Sequence, residues 1–335
     1  MKKQMKHRKL GSLSVSEIGY GAMGLSHGYG PTPSHEESIR LLRKCYEEGC
    51  DFFDTAEGYG QGENEKLVGE ALEPIRNKVI IATKFICFGS EHPNLLKEIE
   101  DKLDNSLKNL RTNYVDLYYL HRVNKDIPIE DIAKVMGELI KKGKIKGWGM
   151  SQVNSEQIRK AHAITPLTAI QNEYSIMERM FEKNVIPTCK ELGIGFVPFS
   201  PMASGFLSGK YNKDTVYKGD DVRLAITRFD KDNVVKNQLL LDTLKKVADN
   251  KKCTLAQISL AWILRKGDFI VPIPGMRTDE RIIENFGAAN VQLTDDEFNE
   301  IEKLLAQIPI HGNRTDEAII AMGHVKSIPV QVENS

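Results

Sequence analysis

Short apolar segments typical of β-strands alternate with amphipathic segments typical of helices along almost the whole chain. Continuous apolar runs of this kind suit strands that are buried on both faces. Their ends recur at intervals of roughly thirty residues, the length of one strand–helix unit. Eight strands are predicted, over residues 17–20, 52–54, 79–83, 115–120, 145–150, 169–172, 194–199 and 269–273. Eight such units predict an α/β fold, a closed (β/α)8 TIM barrel, rather than a doubly wound sheet.

Two segments lie outside this regular alternation. Residues 5–16 alternate around Gly11 and predict an N-terminal β-hairpin that closes the bottom of the barrel. The interval after strand 7 is the longest, and we expect its loop around 210–228 to cover a ligand. Neither a linker nor an internal repeat divides the sequence. We therefore predict one domain over residues 1–335, with a C-terminal tail of about 306–335 that wraps the surface.

Composition argues against several classes of function. Lysine plus arginine equals aspartate plus glutamate, 46 each, so no net charge attracts nucleic acid or a membrane surface. The five cysteines are odd in number and form no CxxC pair, and no signal-like apolar stretch follows Met1. These features predict reduced thiols in a cytoplasmic protein. No Cys/His cluster has the spacing of a metal site, and no apolar run approaches the roughly 18 residues that span a bilayer.

A glycine pattern near the N-terminus matches a dinucleotide-binding motif in its letters but not in its surroundings. Gly19 to Gly24 match GxGxxG, but a Rossmann site requires a helix to begin at that loop. Here the first predicted helix begins only near Ser34, and Asp54 lies thirty residues beyond Gly24. We therefore interpret these glycines as positions where the backbone approaches a ligand at the end of the first strand.

Four side chains able to act on a carbonyl group follow the ends of predicted strands. Asp54 closes DFFD, Tyr59 lies five residues later, Lys84 closes VIIATK and His121 closes VDLYYLH. Because the carboxyl ends of barrel strands meet at one rim, we expect the four to share a pocket. Taken singly, the tyrosine suits a packing role, the aspartate a helix cap and the lysine a structural ion pair.

The motifs around these residues resemble the aldo-keto reductase superfamily. The matching strings are GYGAMGLS, DFFDTAEGYGQGENEKLVGEAL, IATKF, VDLYYLHR, KGKIKGWGMS, QNEYS, FSPMASGFLSGKY and VPIPGMRTDERIIEN. They occur in the family's order and are most similar to its shorter-looped bacterial, fungal and plant branches. The resemblance implies a barrel that binds NADP(H) without a Rossmann fold and acts on a small carbonyl compound.

The resemblance also assigns catalytic roles. Tyr59 would be the general acid that protonates the carbonyl oxygen. Lys84 would lie beside the phenol and assist the proton transfer, and Asp54 would hold Lys84 in place. His121 would hydrogen-bond the substrate oxygen and orient the carbonyl. Two interpretations of Arg122 stay open: contact with the substrate, or an ion pair with a carboxylate.

Cofactor-binding residues follow from the same motifs. Ser151 and Gln171 would hydrogen-bond the nicotinamide carboxamide, and Phe199 would stack on the ring. Many relatives have Asn after this serine, whereas this chain has Gln152, and two alternatives stay open: its longer amide still reaches the cofactor, or the contact passes to Asn172. The other expected cofactor residues are Gly21, Met23, Ser200, Pro201, Met202, Gly205, Leu207, Gly209, Lys210, Gly275, Met276, Arg277, Arg281, Glu284 and Asn285. The arginine pair among them favours NADP over NAD, because guanidinium groups bind a 2′-phosphate.

The substrate end is less clearly specified. Met23, His27, Tyr29, Phe85 and Phe88 follow strands one and three, where they either line a pocket for aromatic aldehydes or pack within loops. The leading functional hypothesis is an NADPH-dependent reductase that converts aldehydes and ketones to alcohols. A non-catalytic cofactor-binding subunit, similar to those that accompany potassium channels, is the alternative. An isomerase or aldolase barrel without a nicotinamide is a third, and the sequence leaves the oligomeric state open.

Overall fold

The computed structural model describes residues 3–314. An antiparallel hairpin, β1 His7–Leu10 and β2 Leu13–Ser16, precedes seven parallel strands that pair in chain order. These are β3 Tyr20–Gly21, β4 Phe52–Asp54, β5 Ile80–Phe85, β6 Val115–Leu120, β7 Ile145–Ser151, β8 Ala169–Gln171 and β9 Gly195–Phe196.

The predicted eighth strand closes the barrel as an irregular segment. Val271 N donates to Phe196 O at 2.9 Å on one side, and Gly19 N donates to Pro272 O at 2.9 Å on the other. Gly21 N likewise donates to Pro274 O at 3.2 Å. The two prolines have no N–H to donate, so this segment cannot form a full ladder, although its carbonyls still accept. The predicted (β/α)8 architecture is confirmed.

Helices follow the strands on the outside of the barrel. They are α1 His35–Glu47, α2 Glu63–Leu72, α3 Leu95–Asn109, α4 Ile129–Lys141, α5 Ser155–Ile164, α6 Val185–Leu192, α7 Lys231–Lys236, α8 Gln238–Asn250, α9 Leu255–Arg265, α10 Asp279–Gly287 and α11 Asp295–Leu305. Most of them bury one apolar face; α4, for example, buries Ile132, Met136 and Leu139 at the spacing of helical turns.

The N-terminal hairpin closes the bottom of the barrel, as predicted. Leu10 is fully buried, and a Cβ added to Gly195 at the start of β9 would lie 2.4 Å from its Cδ2 atom. Arg8 donates from Nη1 to the carbonyls of Leu264, Gly267 and Ile270. The hairpin is therefore anchored to the ends of the strands that lie opposite the functional rim.

The chain after α11 returns to the upper rim. His311 N donates to Asn237 Oδ1 and Asn313 N to Thr227 Oγ1, each at 2.9 Å. This path delivers Arg314 to the rim, while most of the predicted tail, 315–335, lies outside the described residues. In residues 3–314, no helix is long and apolar enough to cross a membrane, and no group of three side chains could hold a metal ion.

Candidate active site

The parallel register brings the predicted catalytic residues together. Asp54 ends β4, Lys84 lies one strand over in β5, and Tyr59 begins a short 3-10 turn after β4. Lys84 is fully buried and donates from Nζ to a carboxylate oxygen of Asp54 and to Thr55 O at 2.7 Å. The same ammonium lies 3.3 Å from the hydroxyl oxygen of Tyr59. A buried cation is thus shared between a carboxylate and a phenol.

The charges of this pair follow from burial and proximity. Burial lowers the pKa of Lys84, but the charge of Asp54 and the contact with Tyr59 outweigh it, so the pKa lies above its ordinary value. Burial raises the pKa of Asp54, while Lys84 and a hydrogen bond from Gln171 oppose that rise. We conclude that Lys84 is an ammonium ion at neutral pH.

His121 lies on the other side of the phenol. Its ring meets the ring of Tyr59 edge-on with centroids 5.7 Å apart. Burial, together with the positive charges of Arg122 and Lys84, lowers the pKa of His121 well below its ordinary value. The imidazole is therefore neutral at neutral pH and suited to hydrogen bonding. Within residues 3–314, its Nδ1 atom has no hydrogen-bond partner.

A polar layer continues from the Asp54, Lys84 and Tyr59 group into the cleft. Gln171 Nε2 donates to the second carboxylate oxygen of Asp54 at 2.7 Å, and Arg122 Nη1 donates to Ser151 Oγ at 3.1 Å. Gln171 and Ser151 line the cleft, as expected for residues that meet a carboxamide. The amides of Gln152 and Asn172 instead bond backbone atoms of neighbouring strand ends.

The cleft has a cavity volume of about 340 Å³. Its walls include most of the expected cofactor residues, namely Gly21, Met23, Ser151, Gln171, Phe199, Ser200, Pro201, Met202, Gly205, Gly275, Arg277, Arg281 and Asn285. Leu207 and Met276 are instead buried in the core, while Gly209 and Lys210 are exposed beyond the cleft wall. Glu284 lies behind the wall and accepts from Arg281 Nη1 at 2.5 Å.

Two cofactor predictions need refinement. A Cβ on Gly21 would lie 2.7 Å from the carbonyl oxygen of Ile273, so this glycine is required where the first strand meets the closing segment. Arg277 donates to the carbonyls of Pro31 and Tyr29 at 2.9 and 3.2 Å. It therefore fixes the loop after β3 as well as lining the cleft.

The loop after β9 has an unusual backbone. Ser200, Ala203 and Ser204 all have positive φ, between 47° and 55°, which is costly for residues with a Cβ. Strained backbone of this kind is concentrated at functional sites. Ser200, Pro201, Met202, Ser204 and Gly205 of this loop line the cleft.

Sequence reasoning missed the residues that cover the cleft. Tyr211, Arg223, Ile226 and Arg314 line it, and only the length of the loop after strand 7 had indicated a cover. Arg223 stacks on the ring of Tyr211 with its guanidinium carbon 4.4 Å from the centroid. The loop that contains Arg223 is held to the loop after β3 by Asp220, whose carboxylate accepts hydrogen bonds from the backbone amides of Gly28 and Gly30.

The expected substrate-pocket residues divide into two groups. Met23 and Tyr29 line the cleft, and the ring of His27 lies 5.3 Å from that of Tyr59. Phe85 is buried against Tyr118 with centroids 4.8 Å apart, so it is a core residue. Phe88 is exposed and outside the cleft wall.

Comparison with known proteins identifies the family. A model of the aldo/keto reductase family matches residues 17–306. A probable aldo-keto reductase from Glycine max is 36% identical over 319 residues, which cover 93% of this chain and 92% of that protein. A glycerol dehydrogenase from Gluconobacter oxydans is 26% identical with a TM-score of 0.81, covering 90% of this chain and 95% of its own. An aldo-keto reductase from Bacillus halodurans, solved in its holo form, is 27% identical with a TM-score of 0.74, covering 90% and 96%.

The chain therefore belongs to the aldo/keto reductase family. It is an oxidoreductase built on a (β/α)8 barrel, and the resemblance drawn from its motifs is confirmed.

Proposed function

We propose that the protein reduces aldehydes and ketones to alcohols with NADPH, and that Tyr59 is the general acid. The observation that carries this proposal is the 3.3 Å contact between the phenol oxygen of Tyr59 and the buried ammonium of Lys84. The phenol also lines the cleft, where a carbonyl oxygen can reach it. Within the family, this combination suits protonation of a carbonyl oxygen.

The cleft suits a nicotinamide cofactor. Phe199 offers a half-buried aromatic face for stacking, Ser151 and Gln171 offer polar atoms, and Arg277 and Arg281 offer positive charge for phosphate groups. The cofactor, when bound, supplies the hydride. Because two arginines lie at the expected adenosine end, we infer a preference for NADPH over NADH.

The residues of the chain then have separate tasks. Tyr59 gives its proton to the carbonyl oxygen, and the ammonium of Lys84 offsets the negative charge left on the phenol oxygen. Asp54 keeps Lys84 charged and in position. The neutral imidazole of His121 orients the carbonyl by a hydrogen bond, since its lowered pKa prevents it from serving as a charged acid.

The substitution Tyr59→Phe tests the role of the phenol. We expect kcat for aldehyde reduction to fall by roughly 10²- to 10⁴-fold, the usual contribution of a general acid. The dissociation constant of NADPH, measured by fluorescence titration, should change little, because the ring is retained. Tyr114→Phe is a matched control, since Tyr114 lies just before β6 at the opposite end of the barrel, against Arg76.

The outcomes separate the alternatives. Loss of NADPH binding together with turnover would show that Tyr59 is structural. A wild-type protein that binds NADPH but reduces none of a panel of aldehydes and ketones would be a non-catalytic cofactor-binding subunit. Failure to bind NADPH at all would refute the proposed use of this cofactor.

A further inference from the structure

The turn that carries Tyr59 has a flexible sequence. Between Thr55 and Asn64 the chain reads AEGYGQGE, with glycine at three of these eight positions. Glycine gives the backbone many accessible conformations, so a free segment of this composition would not hold a side chain in one place. Yet Tyr59 is only 8% exposed, and its hydroxyl lies beside Lys84. Contacts from outside the turn must therefore restrict it.

A buried hydrogen bond joins the two ends of this turn. The hydroxyl of Thr55 donates to Asn64 Oδ1 at 2.7 Å, and both residues are fully buried. Thr55 directly follows β4 and Asn64 is the second residue of α2, so the bond fixes the separation between a strand end and a helix start. Closing a short flexible segment at its base removes many of its alternative conformations.

The side chain of Asn64 also fastens the turn to the loop after β3. Its Nδ2 atom donates to Ala22 O at 2.9 Å and to Ser26 Oγ at 3.0 Å. The amide therefore uses both its oxygen and its nitrogen, and it joins three parts of the upper rim. Such an amide holds its neighbours firmly, because a hydrogen bond left unmade in the protein interior is costly.

The loop after β3 packs directly on the turn. A Cβ added to Gly60 would lie 3.0 Å from Ser26 Cβ, and Gly60 itself has a φ of 56°. The next residue of the loop, His27, places its ring 5.3 Å from the ring of Tyr59. A shift of this loop would therefore reach the phenol through both contacts.

Thr55 contacts the buried ammonium as well. Its carbonyl oxygen accepts from Lys84 Nζ at 2.7 Å, while its hydroxyl is the group that bonds Asn64. One residue therefore positions the ammonium through its backbone and the turn through its side chain. The 3.3 Å contact between the ammonium and the phenol oxygen of Tyr59 depends on both.

We propose that Thr55 and Asn64 are positioning residues, and that their buried hydrogen bond holds Tyr59 where it can protonate the substrate. The inference rests on the proposed reductase function. Among residues 3–314, neither of the two belongs to the cleft wall, so they act through Tyr59 and not by contact with a ligand. Displacement of a reacting group by about 1 Å can lower a rate by about 10²-fold. Loss of the bond should therefore slow reduction without weakening cofactor binding.

Paired substitutions of Thr55 test the bond. Thr55→Val nearly keeps the shape of the side chain but removes the hydroxyl, whereas Thr55→Ser keeps the hydroxyl. Protein loaded with a smaller amount of NADPH is mixed with an aldehyde, and the decay of NADPH absorbance gives the rate constant of a single turnover. We expect that constant to fall by roughly ten- to a hundredfold in Thr55→Val. Thr55→Ser should recover most of it, and the dissociation constant of NADPH should change little in either variant.

Hydrogen exchange gives a readout that does not depend on activity. Backbone amides of residues 57–62 should exchange faster in Thr55→Val than in the wild-type protein or in Thr55→Ser, because the turn is no longer closed at its base. Ser16→Ala is the matched control. It removes another fully buried hydroxyl, which accepts from Asp51 N and donates to Ile18 O at the N-terminal hairpin. It should lower stability and leave both the rate constant and the exchange of 57–62 unchanged.

A double variant separates the missing bond from the effect of an unpaired polar atom. Thr55→Val with Asn64→Leu replaces both partners by apolar groups of similar size, so the valine no longer faces an unpaired amide oxygen. Its rate constant should be as low as that of Thr55→Val alone, because the two ends of the turn are still not joined by a hydrogen bond.

Three results would overturn the inference. A Thr55→Val protein as fast as Ser16→Ala would show that the bond is not needed. Equal losses in Thr55→Val and Thr55→Ser would show that the hydroxyl is not the important group. A double variant with the wild-type rate constant would assign the loss to the unpaired oxygen. Wild-type protein that reduces no carbonyl compound would instead refute the proposed function, and the exchange comparison would still test whether the bond closes the turn.

Discussion

Replacement of Lys84 by methionine separates the structural from the chemical role of the buried pair. Lys84 is fully buried and Asp54 is 2% exposed, so removal of the ammonium leaves a carboxylate in the core. Among the side chains of residues 3–314, Gln171 would still donate to it, at 2.7 Å. Breaking a buried ion pair on one side costs about 3–5 kcal/mol. This is a large share of the roughly 5–15 kcal/mol that stabilises a typical domain.

A double substitution measures how much of that cost comes from leaving the Asp54 carboxylate buried without a cation. Asp54→Asn keeps the shape of the side chain and an acceptor for Gln171 but removes the charge. We expect Lys84→Met with Asp54→Asn to be about 2–4 kcal/mol more stable than Lys84→Met alone. Turnover should stay lost in both, because the ammonium beside Tyr59 is absent.

Equilibrium urea unfolding gives the free energies, and NADPH consumption gives the activity. In Lys84→Met the isolated carboxyl should take up a proton on folding, so its deficit relative to wild type should shrink as the pH falls. Lys97→Met is the control, because its pair with Asp101 is about two-thirds exposed and should contribute only about 0.5 kcal/mol. A double variant no more stable than the single would refute the buried-charge argument.

Two further predictions concern packing and pH. A Cβ on Gly149 would lie 2.2 Å from Ala169 O and 2.6 Å from the ring of Tyr119, so Gly149→Ala should cost about 1–3 kcal/mol in urea unfolding. Gly58→Ala, with open space around it, should change little, and equal effects would contradict the packing argument. The pKa of His121 is lowered in the folded state, so the unfolded chain binds its proton first. Stability should fall as the pH drops below about 6.5, by up to about 1.4 kcal/mol per unit from this residue. His121→Asn should flatten that slope, and an unchanged slope would contradict the assignment.

The sequence was sufficient to predict that several residues of the site lie close together, because these residues are found at the ends of strands. Asp54, Lys84 and His121 each close or directly follow an apolar run, and barrel topology brings strand ends to one rim. Tyr59 follows the first of these within one short turn. The roles assigned to these residues remain proposals, whereas their proximity is an observation.

Other features of the site depended on which side of a strand each side chain faces and on which neighbours it meets. The local sequence does not specify either of these. Phe85 directly follows Lys84 in β5, and since successive strand residues face opposite sides, it packs into the core while Lys84 faces the barrel interior. Gln152 was a candidate for the cofactor, yet its amide oxygen accepts from Glu173 N.

Periodicity and motifs within single strand–helix units were enough to predict the barrel, its N-terminal hairpin and the order of the side chains proposed to be catalytic. Only the folded chain shows how the barrel closes and which side chains from distant parts of the sequence line the cleft. Arg122 and Arg314 lie nearly two hundred positions apart, and they meet at Phe199 because the chain after α11 is fastened back to the rim at Thr227. Such a contact arises from the path of the loops and from side-chain packing, and no local pattern specifies it.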